Sequence, residues 1–312
     1  MDLVEIPAGW FEMGWEDGHP GERPRHRVWL EGFAVARSPV TNGEYARFLA
    51  RGETSPPPWW EDPRFADPEQ PVVGVSWHEA AAYCAWLAAE TGARLRLPSE
   101  AEWEKAARGG LAAARFPWGE ARPAPARFDR PPRPGETPAN PLGLVALSGV
   151  CHEWCLDWED EGYYTRSPDR DPRGPTHGTR RISRGGAWRH QDPWSPVAHR
   201  SSLPPDLRYS DYGFRIVREG PPPWRAASAD RAAGSQWRMP IASSSRAAAA
   251  RCSRATSLAP VLAARTPRSS RHRASSGRMP SRRASSSAAA ACRSASPGSV
   301  TASPSIRRAP AA

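Results

Sequence analysis

At residues 219–230 the chain reads "EGPPPWRAASAD", and this one break limits what it can fold into. Three consecutive prolines end any regular element, because each fixes φ and lacks an N–H donor. Beyond them, residues 225–312 are mostly Ala, Ser, Arg and Pro and hold one of the chain's fifteen tryptophans. Such a segment buries too little apolar surface to offset the entropy of ordering it. We therefore expect one folded domain over residues 1–222 and a disordered low-complexity tail over 223–312. A single lysine, Lys105, stands against 42 arginines, which points to GC-rich coding DNA. Read out of frame, such DNA yields text of this kind, so a frameshift product is the alternative expectation for the tail.

The same break splits the charge. The formal net charge is +10, but the tail from Arg225 carries sixteen Arg and one acid, Asp230, leaving residues 1–224 at −5. The basic balance is thus no argument that the folded domain binds nucleic acid, and we expect no such partner for it. Five cysteines, two of them in the tail, do not form a secreted disulfide framework. The opening "MDLVEIPAGWFEMG" has neither the basic nor the apolar region of a signal peptide. No apolar stretch is long enough to span a membrane. The expectation is a cytoplasmic protein with no membrane partner.

Regular structure should be scarce. "RHRVWLEGFAVAR" alternates as a strand pair around Gly32. Three segments carry helix-start signals: Thr41 or Asn42 before "GEYARFL", Ser76 with Glu79, and Ser99 with Glu102. Gly92 and Gly109 stop the second and third helices. "RRISRGGAW" and "DYGFRIVRE" read as closing strands. The fold class is α+β with long ordered loops, in which tryptophans act as pins.

Three motifs invite chemistry. Glu100, Glu102 and Glu104 suggest acid/base work, but acids in a first helical turn complement the dipole and cap the helix. "GVCHEWCLDWED" offers Cys151, His152, Glu153, Cys155, Asp157 and Asp160. It reads as a zinc site, as a carboxylate and loop carbonyls for calcium, or as solvated loop charge. "RGGAWRHQDPWS", with His190, Asp192 and Ser195, lacks the context of a nucleophile elbow, and closeness in sequence is no evidence for a triad.

Eight segments then fall in one order: "IPAGWFEMG", "SPVTNGEYARFL", "PVVGVSWHEAAAYCAWL", "RLRLPSEAEWEKAARGG", "FPWGE", "SGVCHEWCLDW", "RGGAW" and "DYGFRIV". Together they resemble the formylglycine-generating enzyme (sulfatase-modifying factor) family over residues 3–219. The resemblance implies a variant of the C-type lectin fold with little regular structure. It implies an oxidase that uses O2 and copper(I) to convert a cysteine of a protein or peptide substrate to formylglycine. The family's two copper-binding cysteines correspond here to His190 and Ser195, and soft copper(I) prefers sulfur. The family's calcium ligands correspond to the carbonyls of Gly149 and Cys151 and the carboxylate of Glu153. An upstream ligand is replaced by Ala146, and a second site loses its Asn at Arg127, so calcium binding should be weak or absent.

The resemblance leaves three functions open. One is a divergent family member without the copper pair. Another is a ligand- or protein-binding module on a C-type-lectin-like scaffold. A third resembles the non-haem-iron sulfoxide synthases, which need a partner domain for iron; His152, His190 and His199 would be the local ligands. For substrate contact the last loop offers Trp188, Arg189, Trp194 and Arg200, with Arg208 and Tyr209 nearby. Against this, Arg200 and Arg215 also read as pins that pair with the domain's acids.

Overall fold

The computed structural model describes residues 1–220 except 53, 113, 125 and 126. The tail expectation for 223–312 lies outside the described residues. Each α-helix starts where the sequence places a side-chain cap. Helix α1 (Asn42–Leu49) opens on Thr41, whose hydroxyl accepts from Glu44 N–H while Glu44 reaches back. Helix α2 (Trp77–Thr91) opens the same way on Ser76 and Glu79, and α3 (Glu100–Arg108) on Ser99 and Glu102. Helices α2 and α3 end on Gly92 and Gly109, both left-handed, at φ 67° and 56°. These residues close the last turn at little steric cost because they lack a Cβ.

Ten short strands among the described residues complete the domain. Strands β1 (Leu3–Ile6), β4 (Phe33–Ala36), β10 (Val217–Glu219) and β5 (Leu95–Arg96) form an antiparallel sheet in that order. Strands β2 (Gly9–Met13) and β3 (His26–Leu30) form a separate ribbon. The residues flanking Gly32 are thus both strands, but β3 and β4 do not pair with each other as the alternation suggests. Each finds its partner elsewhere, β3 on β2 and β4 between β1 and β10.

The third sheet carries the site. Its order is β8 (Arg200–Leu203), β7 (Arg181–Arg184), β6 (His152–Trp158) and β9 (Tyr212–Gly213). Only the β6–β9 pairing is parallel, with His152 opposite Tyr212. Side chains alternate along β6. His152 and Trp154 meet Tyr212, with ring centroids 4.7 and 4.8 Å away. Glu153 and Cys155 turn the other way, toward fully buried Trp103 of α3 and its apolar cluster.

Behind β6 and β7 lies a buried ion network. Arg184 donates to Glu100 at 3.1 Å and also to Glu104, while Arg108 donates to Glu104 at 2.6 Å. Arg200 closes a two-point pair on Glu100 at 2.7 and 3.0 Å. Burial resists the charge on Glu104, but the Arg108 and Arg184 guanidinium groups outweigh it and hold its carboxyl below the ordinary range. The acids that open α3 are therefore structural, as capping and dipole arguments favour.

Candidate functional site

Strand β7 ends at Arg184, and Gly185 and Gly186 (φ 92° and 64°) turn the chain out of the sheet. There is no room for a side chain at Gly186, because the Ser195 side chain lies against it. The loop that follows separates the two positions the family resemblance pairs. His190 is exposed on the outer bend, whereas Ser195 is buried, its N–H donating to Ser148 Oγ at 2.8 Å. Ser148 Oγ in turn donates to Ser195 O at 2.9 Å.

His190 meets a residue of β6 instead. Its Nε2 lies 3.3 Å from Nε2 of His152. The parallel pairing of β6 with β9 then brings in Asp211, whose backbone carbonyl accepts from His152 N–H at 2.8 Å. One ligand atom from each of His152, His190 and Asp211 lies within 4.8 Å of the others. They face an open hollow of about 360 Å³, with Tyr212 and Leu203 in its wall and Arg189 and Tyr209 at its rim.

The electrostatics of this cluster are unbalanced. His152 is 5% exposed, and burial, with the nearby charges of His190 and His199, pushes its pKa down to about 3. Burial lowers His190 as well. Burial raises Asp211, against the pull of Arg189 and His190. Its Oδ1 has no hydrogen-bond partner among the described residues, and neither has His152 Nδ1. The Arg189 guanidinium stands 3.7 Å from Asp211 Oδ1, beyond hydrogen-bond length, and donates at 3.2 Å to Ser210 Oγ.

The remaining sequence candidates are distributed as follows. Trp188 packs on Phe65 outside the hollow, its Nε1–H donating to Ser210 O at 3.2 Å. Trp194 is buried and ties down another loop by donating to Ala124 O at 3.0 Å. Arg200 is engaged by Glu100, and His199 faces Glu22 at 3.3 Å. Arg208 pairs with Glu79. Glu153 is engaged in the core: Arg215 holds both its oxygens and Trp103 Nε1–H donates to it at 2.8 Å. Gly149 (φ 78°) packs its backbone against Pro193, and Ala146 holds a left-handed φ of 60° while buried.

The thiols are equally committed. Cys84, Cys151 and Cys155 are free and buried. Burial raises all three pKa values, with the Glu153 charge adding to it at Cys151 and the Asp157 charge at Cys155. Cys151 and Cys155 are four residues apart along extended chain, a Cα separation of about 13 Å, too far to share one ion. Sequence reasoning named His152 and His190 but missed Asp211, which reads as the start of a strand. The signal that finds it is the strand pairing.

A mixed α+β scaffold with short sheets, long ordered loops and a polar hollow between its last loops defines a variant C-type-lectin-like domain. The chain belongs to the sulfatase-modifying-factor family: the model of the "Sulfatase-modifying factor enzyme 1-like domain" matches residues 1–220. It is 32% identical to a formylglycine-generating enzyme of Streptomyces coelicolor, over 69% of this chain and 88% of that protein. It is also 32% identical to a hercynine oxygenase of Mycolicibacterium smegmatis, over 59% of this chain and 54% of that one. Among solved structures, PvdO from Pseudomonas aeruginosa superposes with a TM-score of 0.61 at 29% identity, covering 70% of this chain and 94% of that one. No helix among the described residues is long and apolar enough to cross a membrane.

Proposed function

We propose that this chain is a divergent, oxidoreductase-related member of the family that does not use a paired-thiolate copper centre. One observation supports the reading: His190 and Ser195, which the family resemblance puts at the sulfur positions, face different surroundings. Copper(I) favours thiolate, and a buried serine hydroxyl is a poor substitute. The described thiols offer no replacement, being buried and protonated. Calcium fits no better at Glu153, whose oxygens Arg215 and Trp103 already hold. What remains is a small polar hollow with Arg189 at its rim, suited to an anionic group on a peptide or small-molecule ligand. Free cysteines suit a reducing, cytoplasmic setting.

The test is turnover of a cysteine-containing sulfatase peptide by the full chain with O2, alongside copper(I) titration under reducing conditions. We expect no formylglycine and no tight stoichiometric copper(I). Turnover that disappears in His190→Ala would overturn the reading. Cys84, Cys151 and Cys155 should also resist alkylation in the native protein and react only in denaturant, checked by peptide mapping. The hercynine oxygenase relative favours a second reading, an iron-dependent oxygenase.

A further inference from the structure

We propose that His152, His190 and Asp211 form a binding site for one divalent first-row transition metal, of the two-histidine–one-carboxylate type. The inference rests on the reading above only in treating the last loops as the working face.

The two rings stand at ligand spacing, and the carboxylate lies close enough to reach the same ion. Two imidazole nitrogens bound to one metal at about 2.1 Å, at angles between octahedral and tetrahedral, stand about 3.0–3.4 Å apart. Here the two Nε2 atoms are 3.3 Å apart. The third donor comes from a different chain segment within the same 4.8 Å sphere. Three residues from β6, the loop after β7 and the turn before β9 thus converge from separate parts of the sequence.

A purely structural role leaves too much unexplained. One imidazole–imidazole hydrogen bond satisfies a single nitrogen of each ring and does nothing for Asp211. A carboxylate that is 8% exposed with an unpartnered oxygen costs free energy. A cation between the three groups removes that cost. Nitrogen and oxygen donors select borderline divalent ions, with iron(II) foremost for this donor set. Three protein ligands would leave room for a further ligand from the hollow, which has Arg189 and Tyr209 at its rim.

The test strips the full chain with a chelator and titrates it with cobalt(II), followed by visible absorption, then repeats the titration with iron(II) without oxygen. One ion per chain should bind. His190→Ala and Asp211→Asn should each weaken binding by on the order of 100-fold, with unchanged circular dichroism. His199→Ala should leave it within about 2-fold, since His199 pairs with Glu22. Absence of binding, or variants that titrate like the parent, would overturn the metal site while leaving the loss of the thiolate pair intact. A sulfur-to-cobalt charge-transfer band would place the ion on cysteine, overturning both this site and the reading above.

Discussion

Two clusters of charged and polar side chains flank the same strand, and they are built on opposite terms. In the network of Arg184, Arg108, Arg200, Glu100 and Glu104, each carboxylate is held by two guanidinium groups, and among these side chains Arg184 Nε is the one buried atom without a partner. In the hollow, His152, His190 and Asp211 are nearly as close together, yet Asp211 Oδ1 and His152 Nδ1 are left open. A satisfied buried charge network belongs to the fold, because removing one member strands the others. An unsatisfied cluster at an opening has unused bonding capacity, and that capacity is where a ligand would be expected.

The contrast breaks first at Glu104. Glu104→Gln should destabilise the domain by about 3–5 kcal/mol in urea denaturation, since Arg184 and Arg108 lose their shared counter-charge. A loss below about 1 kcal/mol would mean that the network is not structural in the sense described.

Asp157 sharpens the comparison, because it sits at the edge of the network without an arginine of its own. It is buried and accepts from Glu100 N–H at 2.8 Å. Burial and the Glu100 charge push its pKa up to about 7. Unfolded, the group titrates near about 3.9, so between about 4 and 7 the native state holds the extra proton. Its contribution is therefore fully present below the unfolded value and declines as pH rises through the folded one. Asp157→Asn keeps the acceptor and removes the titration. The variant should gain about 2–4 kcal/mol on the parent between about pH 4 and about pH 8, read from denaturation midpoints at each pH. A constant difference would place the ordinary pKa on Asp157.

The smallest effect is expected in the hollow. Asp211→Asn should change the stability of the metal-free protein by less than about 1 kcal/mol, because no strong bond to its side chain is lost. A loss as large as that at Glu104 would erase the distinction between the two clusters.

Much of the scaffold was legible in the sequence for local reasons. Ser76 with Glu79 and Ser99 with Glu102 mark helix starts through contacts three residues apart, and Gly92 and Gly109 mark stops through backbone freedom. Strand partnership was not legible: β3 and β4 read as a pair, but pairing is decided by distant strands. The site shows the same division. His190 could be named because it occupies a position in an ordered motif. Asp211 could not, because its place beside His152 depends on a two-residue parallel pairing. Trp194 looked like a surface contact in a loop sequence, and its burial follows from Ala124 arriving from elsewhere; Arg200 read both as a contact and as a pin, and its pair with Glu100 makes it the pin.

The alternation along β6 has an evolutionary consequence. His152 on the floor of the hollow is joined by one peptide bond to Glu153, the anchor of Arg215 in the core. Any drift that shifts the floor also strains the interior, so selection has little freedom there. Arg189 and Tyr209 at the rim are exposed and tied to nothing comparable. Changes of specificity among close relatives should therefore accumulate at the rim while the floor stays put.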